Sequence, residues 1–241
     1  MSTGPRLSGV FAVHKPVGWT SADVVRKIRG VICTELKRRG TQVTRRSIKL
    51  GHGGTLDCRA AGVLVLGLGR GTKQLHDLSA TQKRYIAEGQ LGKATDTYDT
   101  DGKITEEKPF DHVTEDTLRQ TMDTFRGEQM QVAPIYSALK VAGERLSDRA
   151  RRREAVKPKP PRPVVVHSLE LLSFNPPHFQ LGVTCGAGFY VRSLVYDLGH
   201  AVGSCAHLTS LCRVQQGIFP LDQALPMEKW TLPDIEAAVS T

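Results

Sequence analysis

Hydrophobic and polar residues alternate along this chain with the periods of both strands and helices. Short apolar or alternating runs predict strands near 10–13, 62–66, 83–91, 164–174, 179–185 and 208–214. Helical spacing and capping signals predict helices near 20–36, 72–78, 114–125, 137–153 and 193–202. The two kinds of element alternate irregularly. We therefore expect an α/β (α+β) fold with a mixed sheet flanked by helices, not a strict βαβ series.

Three local signals sharpen these predictions. Thr20 and Asp23 match a capping box, which predicts a helix that begins after Thr20. In the strand at 83–91 we expect Tyr85 on one face of the strand and Leu91 on the opposite face. The proline-rich segment 157–163 cannot form a helix or a central strand.

Length and composition place the chain among ordinary globular proteins. Its 241 residues, 39% of them hydrophobic, can bury one large core or two small ones. No apolar run approaches the roughly 18 residues that a membrane span requires, so we expect no membrane partner. The five cysteines are odd in number and contain no CxxC pair, which favours reduced thiols and an intracellular protein.

The net charge of +9 is concentrated in two patches. The net charge is +5 over residues 35–49 and +6 over residues 140–162, so the remainder is slightly acidic. Such patches attract a polyanion, although solvated basic loops have the same composition.

A glycine-rich segment, Gly51-His52-Gly53-Gly54-Thr55-Leu56-Asp57, is the strongest candidate for a site. Glycines at this density let the backbone adopt positive φ angles and approach a ligand closely. From the residues alone, Asp57 could serve as a general base, a metal ligand, a nucleophile or a helix cap.

Three familiar ligand motifs fail. The glycines at 67, 69 and 71 are followed by Thr72-Lys73, the reverse of the order in a phosphate loop. An EF-hand that included Asp99 would have Thr97 at its first ligand position and Lys108 at its twelfth, where calcium binding requires carboxylate oxygens. The histidines and cysteines between 200 and 212 match no usual zinc spacing. We expect no metal site.

Six motifs, in order, resemble those of TruB-type pseudouridine synthases. The glycine segment resembles the catalytic motif of that family, and its match extends through Thr72-Lys73. The other five similar segments are His14-Lys15-Pro16 with Gly18 and Ser21, Lys83-Arg84-Tyr85 with Thr95 to Asp99, Tyr136 to Lys140 with Arg162-Pro163, Gly188 to Arg192, and Ala206 to Arg213. The resemblance covers about residues 9 to 222 and implies a pseudouridine synthase fold with a mixed, mainly antiparallel sheet.

The resemblance also implies a reaction, in which uridine in RNA is isomerised to pseudouridine. Asp57 would be the nucleophile, and attack at C1′ of the ribose or at C6 of the base both remain open. Tyr85 would stack on the target base and accept a proton, while Arg192 would pair with Asp57 and keep it ionised. The reaction needs no cofactor, because it involves no net redox change and no group transfer to a second molecule.

By the same resemblance, a basic insertion at about 133–163 would grip the T arm of tRNA after the base has been flipped out of the loop. The residues expected to bind RNA or substrate are His52, Asp99, Tyr190, Leu211, Lys15, Lys140, Arg149, Arg151, Arg152 and Arg153.

We expect a single catalytic domain over residues 1–241, without the PUA module that bacterial members commonly append. Extra basic residues at 37–39 and 45–46 indicate the eukaryotic branch. The expected substrate is uridine 55 in the tRNA T loop, with T-loop-like messenger RNA structures in addition. We expect a monomer in the nucleus and cytoplasm. The rival hypothesis is a catalytically weak RNA-binding or tRNA-folding module on the same fold.

Overall fold

A computed structural model describes residues 7–137, 139–141, 143–152, 154, 156 and 159–239. The strands are β1 (Gly9–Lys15), β2 (Leu50–His52), β3 (Ala60–Leu68), β4 (Lys83–Leu91), β5 (Lys93–Thr95), β6 (Ile104–Glu107), β7 (Gly127–Gln131), β8 (Lys140–Val141), β9 (Glu144–Arg145), β10 (Arg162–Asn175), β11 (His178–Cys185), β12 (Ala206–Gln216) and β13 (Phe219–Pro220). The helices are α1 (Ser21–Arg38), α2 (Leu75–Ala80), α3 (Glu115–Asp123), α4 (Leu146–Arg151), α5 (Val191–Ala201) and α6 (Leu232–Ala238). None of these described helices has both the length and the hydrophobicity to cross a membrane.

The chain forms two compact units. The first contains the residues up to Lys83 together with those from Cys212 onwards, and the second runs from Arg84 to Leu211. Strand β12 therefore supplies its first half to the second unit and its last residues to the first.

In the first unit, β3 is the central strand. It pairs antiparallel with β1, so that Phe11 stands opposite Leu66, and its end also pairs with β2. Nearly every residue of β3 is buried, which explains why this strand is a continuous apolar run rather than an alternating one. Helix α1 packs against β2 and α6.

Helix α1 begins as its sequence predicts. The Thr20 side chain accepts a hydrogen bond from the Asp23 amide, and the Asp23 carboxylate accepts one from the Thr20 amide at 3.1 Å. Two backbone amides at the start of the helix, those of Thr20 and Asp23, are thereby satisfied. The apolar face with Val24, Ile28 and Ile32 is directed inward.

In the second unit, the strand order is β12, β4, β11, β10, β7. The long hairpin of β10 and β11 is antiparallel, with Leu169 opposite Val183, and β7 pairs with the first residues of β10. Strand β4 alternates between buried and exposed residues along its length. Leu91 is buried on the same side as Tyr85, so its assignment to the other side is wrong: both are odd-numbered positions of one pleat.

The fold class is confirmed as a mixed α/β arrangement of strands and helices. The strand pairs above are antiparallel, and isolated parallel bridges join Val13 to Leu225 and Asp99 to Leu208. The predicted helix over 137–153 is wrong in its first half. Strands β8 and β9 form a hairpin there, because Gly143 adopts φ +86° at the turn and only 146–151 is helical.

Candidate active site

The candidate nucleophile lies on a loop between β2 and β3, which we call the Asp57 loop (residues 53–59). Its first residue is tied to the sheet by a hydrogen bond from the Gly53 amide to the Val65 carbonyl, at 2.8 Å. Gly54 has φ +124°, a backbone conformation that only glycine adopts without strain. Asp57 itself is half-buried, and its carbonyl accepts from the Ala60 amide at 3.1 Å. Asp57 is therefore a partly exposed residue on a fixed backbone.

Ser21 fixes the residue before Asp57. The Ser21 hydroxyl accepts from the Leu56 amide at 2.9 Å and donates to the Leu56 carbonyl at 3.2 Å. Ser21 is 2% exposed, so water does not compete for these bonds. It is also the first residue of α1, and the helix therefore holds the loop through one hydroxyl.

Lys15 and Gly18 fix the residue after Asp57. The Cys58 carbonyl accepts from the Gly18 amide at 2.8 Å and from Lys15 Nζ at 3.3 Å. Lys15 Nζ also donates to the carbonyls of Pro16 and Trp19, at 2.9 and 2.6 Å. Burial lowers the pKa of Lys15 to about 8, although the nearby Cys58 and Asp57 act in the opposite direction. The side chain is 0% exposed. This geometry supports a role in positioning the loop, and the predicted contact of Lys15 with RNA stays a prediction.

Two buried polar residues of β12 support the glycines from within the first unit. Arg213 is 1% exposed and donates to the Val63 carbonyl at 2.7 Å and the Gly54 carbonyl at 3.1 Å. The Gln216 amide donates to the carbonyls of Gly53 and Leu78, the latter at 3.0 Å. Sequence reasoning assigned no role to Ser21, Arg213 or Gln216. The available signal was a polar residue at a buried position, of a strand for Arg213 and Gln216 and of a helix for Ser21. The partner of each is fixed only by tertiary structure.

The second unit holds Arg192 among carbonyl and carboxylate oxygens. Arg192 is 4% exposed and donates to the Thr97 carbonyl and the Tyr136 carbonyl, both at 2.9 Å. Asp99 Oδ2 lies 3.7 Å from Arg192 Nη1. Asp99 Oδ1 accepts from the Thr97 hydroxyl at 2.5 Å and from the Asp101 amide at 3.0 Å. The structure thus brings together two of the predicted site residues, Asp99 and Arg192. The predicted pairing of Arg192 with Asp57 joins residues of different units and stays a prediction.

Tyr190 stands at the start of α5. Its backbone amide donates to Gln131 Oε1 at 2.8 Å, and its carbonyl accepts from Gln131 Nε2 at 3.0 Å. The Arg162 guanidinium lies 5.2 Å from the centre of the Tyr190 ring and also donates to the Gly188 carbonyl. Tyr85 and Leu211 are each 8% exposed, in β4 and β12, and His52 is half-buried at the end of β2.

Two arginines of the basic insertion, Arg149 and Arg152, form ion pairs with glutamates of the same insertion. Arg149 Nε lies 2.9 Å from Glu154, and Arg152 lies 2.6 Å from Glu154 and 2.8 Å from Glu144. These exposed ion pairs are readily exchanged for other anions. Arg153 lies outside the described residues, as do the side chains of Lys140 and Arg151.

Comparisons with known proteins identify the family of this chain. The family model for the N-terminal domain of TruB family pseudouridylate synthases matches residues 38–191. The chain is 50% identical over 237 residues to mouse pseudouridylate synthase TRUB1, which covers 97% of this chain and 70% of the relative. It is 39% identical over 232 residues to tRNA pseudouridine synthase B of Dehalococcoides mccartyi, covering 96% of this chain and 71% of the relative.

Among solved structures, an H/ACA ribonucleoprotein bound to a substrate RNA containing 2′-deoxyuridine is similar, with a TM-score of 0.64 and 26% identity. That match covers 93% of this chain and 52% of the other, so the chain spans about half of that larger protein. The family match and the relatives define the class as a pseudouridine synthase, an isomerase. Within this class, the chain belongs to the TruB family. The higher identity to the mammalian relative agrees with the predicted eukaryotic branch.

Proposed function

We propose that this synthase converts uridine 55 in the T loop of tRNA to pseudouridine, with Asp57 as the nucleophile. One observation carries the proposal: Asp57 is partly exposed, and its two chain neighbours are held by Ser21, Gly18 and Lys15. A nucleophile gains from such fixed geometry, because positioning lowers the entropic part of the barrier. The name of the Dehalococcoides relative, a tRNA pseudouridine synthase, supports tRNA as the substrate.

In the proposed reaction, an oxygen of Asp57 attacks either C1′ of the ribose or C6 of the uracil. The glycosidic bond between C1′ and N1 breaks, the uracil turns, and a new bond forms between C1′ and C5. The carboxylate leaves, and the proton on C5 is lost to Tyr85, whose own hydroxyl proton passes to solvent. N1, which left the ribose with the bonding electron pair, takes up a proton, so that no proton is gained or lost overall. No oxidant, reductant or cofactor enters this balance. Arg192 keeps Asp57 ionised when the two approach in the working enzyme.

The target uridine of a folded T loop must first leave its stack. We propose that His52, Tyr190 and Leu211 contact the flipped nucleotide and that Asp99 orients Arg192, to which it already lies close. The basic insertion, with Arg149 and Arg152 on its surface, would grip the phosphates of the arm. Messenger RNA loops that imitate the T loop are proposed as additional substrates.

The test uses a transcript of the T-arm stem-loop, with pseudouridine mapped by chemical modification after incubation with the full chain. We expect product with the wild-type protein and none with Asp57→Asn, whose affinity for the stem-loop should stay within a few-fold. Asp77→Asn, an exposed carboxylate of the same unit, is the matched control. Turnover by Asp57→Asn would refute the nucleophile, and binding without turnover by the wild type would favour the RNA-binding module.

A further inference from the structure

A second concave surface lies in the first unit, along α1. This groove has a volume of about 1040 Å³ and is lined by residues of α1, by Arg45 and by the segment 230–233 that leads into α6. Asp57 is not among its lining residues. Both tryptophans of the chain, Trp19 and Trp230, line it. We call it the tryptophan groove.

Four cations line the tryptophan groove, and carboxylates neutralise two of them. Two of the lining arginines pair with acids of their own helix, Arg26 with Asp23 at 2.6 Å and Arg38 with Glu35 at 2.8 Å.

The other two lining cations, Lys27 and Arg45, are exposed. Among the residues that the structure describes, neither pairs with a carboxylate. Arg45 Nη2 lies 3.6 Å from the position a β-carbon would take at Gly30, so the guanidinium rests against α1 one turn from Lys27.

The floor of the tryptophan groove is a supported aromatic ring. Trp230 is 4% exposed, and its indole N–H donates to the Leu225 carbonyl at 3.0 Å. Trp19 packs edge-to-face on Trp230, with ring centres 5.9 Å apart and planes at 79°, and is only half-buried. Trp19 therefore presents part of a rigid indole in the same groove as the two unpaired cations.

We propose that the tryptophan groove binds a single-stranded segment of the RNA substrate. A base stacks on Trp19, and the adjoining phosphates contact Lys27 and Arg45. Flat aromatic rings beside cations are the usual means of binding single strands without sequence preference. An acidic peptide could use the same cations but gains nothing comparable from the ring. The inference rests on the proposed function, because it extends the RNA contacts of that enzyme.

The two tryptophans make direct detection possible, because intrinsic tryptophan fluorescence reports on this groove alone. The probe is oligoadenylate, which contains no uridine and is therefore no substrate. We expect saturable quenching that weakens with salt. In Lys27→Gln/Arg45→Gln the dissociation constant should rise about tenfold, and the salt slope should fall by about 0.7 for each lost phosphate contact.

The matched control is Arg70→Gln/Lys103→Gln, two exposed cations that do not line the groove. Quenching that is absent, that is weakened equally by the control pair, or that hexaglutamate produces as well as oligoadenylate would overturn the proposal.

A second experiment separates this inference from the proposed function. Turnover is compared on a T-arm stem-loop and on the same stem-loop with a single-stranded extension. Lys27→Gln/Arg45→Gln should match the wild type on the short substrate and lose about fivefold or more in kcat/KM on the extended one. Wild-type rates on both RNAs would refute the groove. If the wild type modifies neither RNA, the proposed function fails, while the fluorescence result still decides the groove.

Discussion

The Asp57 loop and the basic insertion hold their charged groups in opposite ways. Around the loop, Ser21, Lys15 and Arg213 are buried and bind backbone amides and carbonyls. In the insertion, Arg149 is partly exposed and Arg152 is exposed, and both pair with exposed glutamates. Buried hydrogen bonds fix a position, whereas exposed ion pairs are weak and easily exchanged. A reacting carboxylate needs a position fixed by buried hydrogen bonds. Binding of RNA phosphates needs cations whose ion pairs are easily exchanged.

The largest effect is expected for Arg213→Met, which tests whether the loop depends on buried donors. The buried carbonyl of Val63 and the partly buried carbonyl of Gly54 would each lose the donor that Arg213 provides. We expect a loss of about 3 kcal/mol in the free energy of unfolding, measured by urea denaturation. Arg70→Met, an exposed arginine of the same unit, should leave the urea midpoint nearly unchanged. Equal effects of the two variants would contradict the buried role.

Ser21→Ala should have the next largest effect and acts on the loop directly. The Leu56 amide and carbonyl both lose the hydroxyl that holds them. We expect about 1.5 kcal/mol of destabilisation and a kcat about tenfold lower with KM little changed, because the transition state needs the carboxylate in place. Ser210→Ala, on the exposed side of β12, serves as the control. An unchanged kcat would mean that the loop keeps its position without Ser21.

Lys15 predicts a dependence on pH. Burial lowers its pKa in the folded state to about 8, from 10.5. Below pH 8 the group is protonated in both states and its contribution to stability is constant. Between pH 8 and 10.5 the unfolded chain binds more protons than the folded chain. The free energy of unfolding therefore rises with pH in this interval, with a slope that corresponds to at most one bound proton. Urea unfolding of the wild type and of Lys15→Met across this interval measures the difference. Parallel pH profiles would show that Lys15 titrates normally.

The smallest effect on stability is expected in the insertion. Arg149→Gln/Arg152→Gln removes exposed ion pairs, so the urea midpoint should barely move. Affinity for the T-arm stem-loop should fall several-fold, and the salt slope should decrease by about 1 for each lost phosphate contact. Arg119→Gln, which also breaks an exposed pair with a glutamate, is the control. An unchanged salt slope would indicate that the insertion is a solvated loop that makes no phosphate contacts through these arginines.

Local signals in the sequence predicted the elements that depend on neighbours in the chain. The capping box of Thr20 set the start of α1, and alternation set both ends of β4. The hairpin of β8 and β9 was missed, because its basic residues suit a helix and only Gly143 indicates a turn. The site was predictable as a set of candidate residues through resemblance to a family. The partners of Ser21, Arg213 and Gln216 lie 35 or more residues away along the chain, where no local pattern extends. The monomeric state and the nuclear and cytoplasmic location stay predictions.

The attachment of the Asp57 loop to the first residue of α1 has a consequence for changes in chain length. The hydrogen bonds of Ser21 attach the loop to the first residue of the helix and not to its last turn. Residues 39–49, which return the chain from the end of α1 to β2, can therefore lengthen or shorten while the carboxylate keeps its coordinates. Insertions there would be tolerated by catalysis, whereas a one-residue deletion between Lys15 and Ser21 would displace the nucleophile.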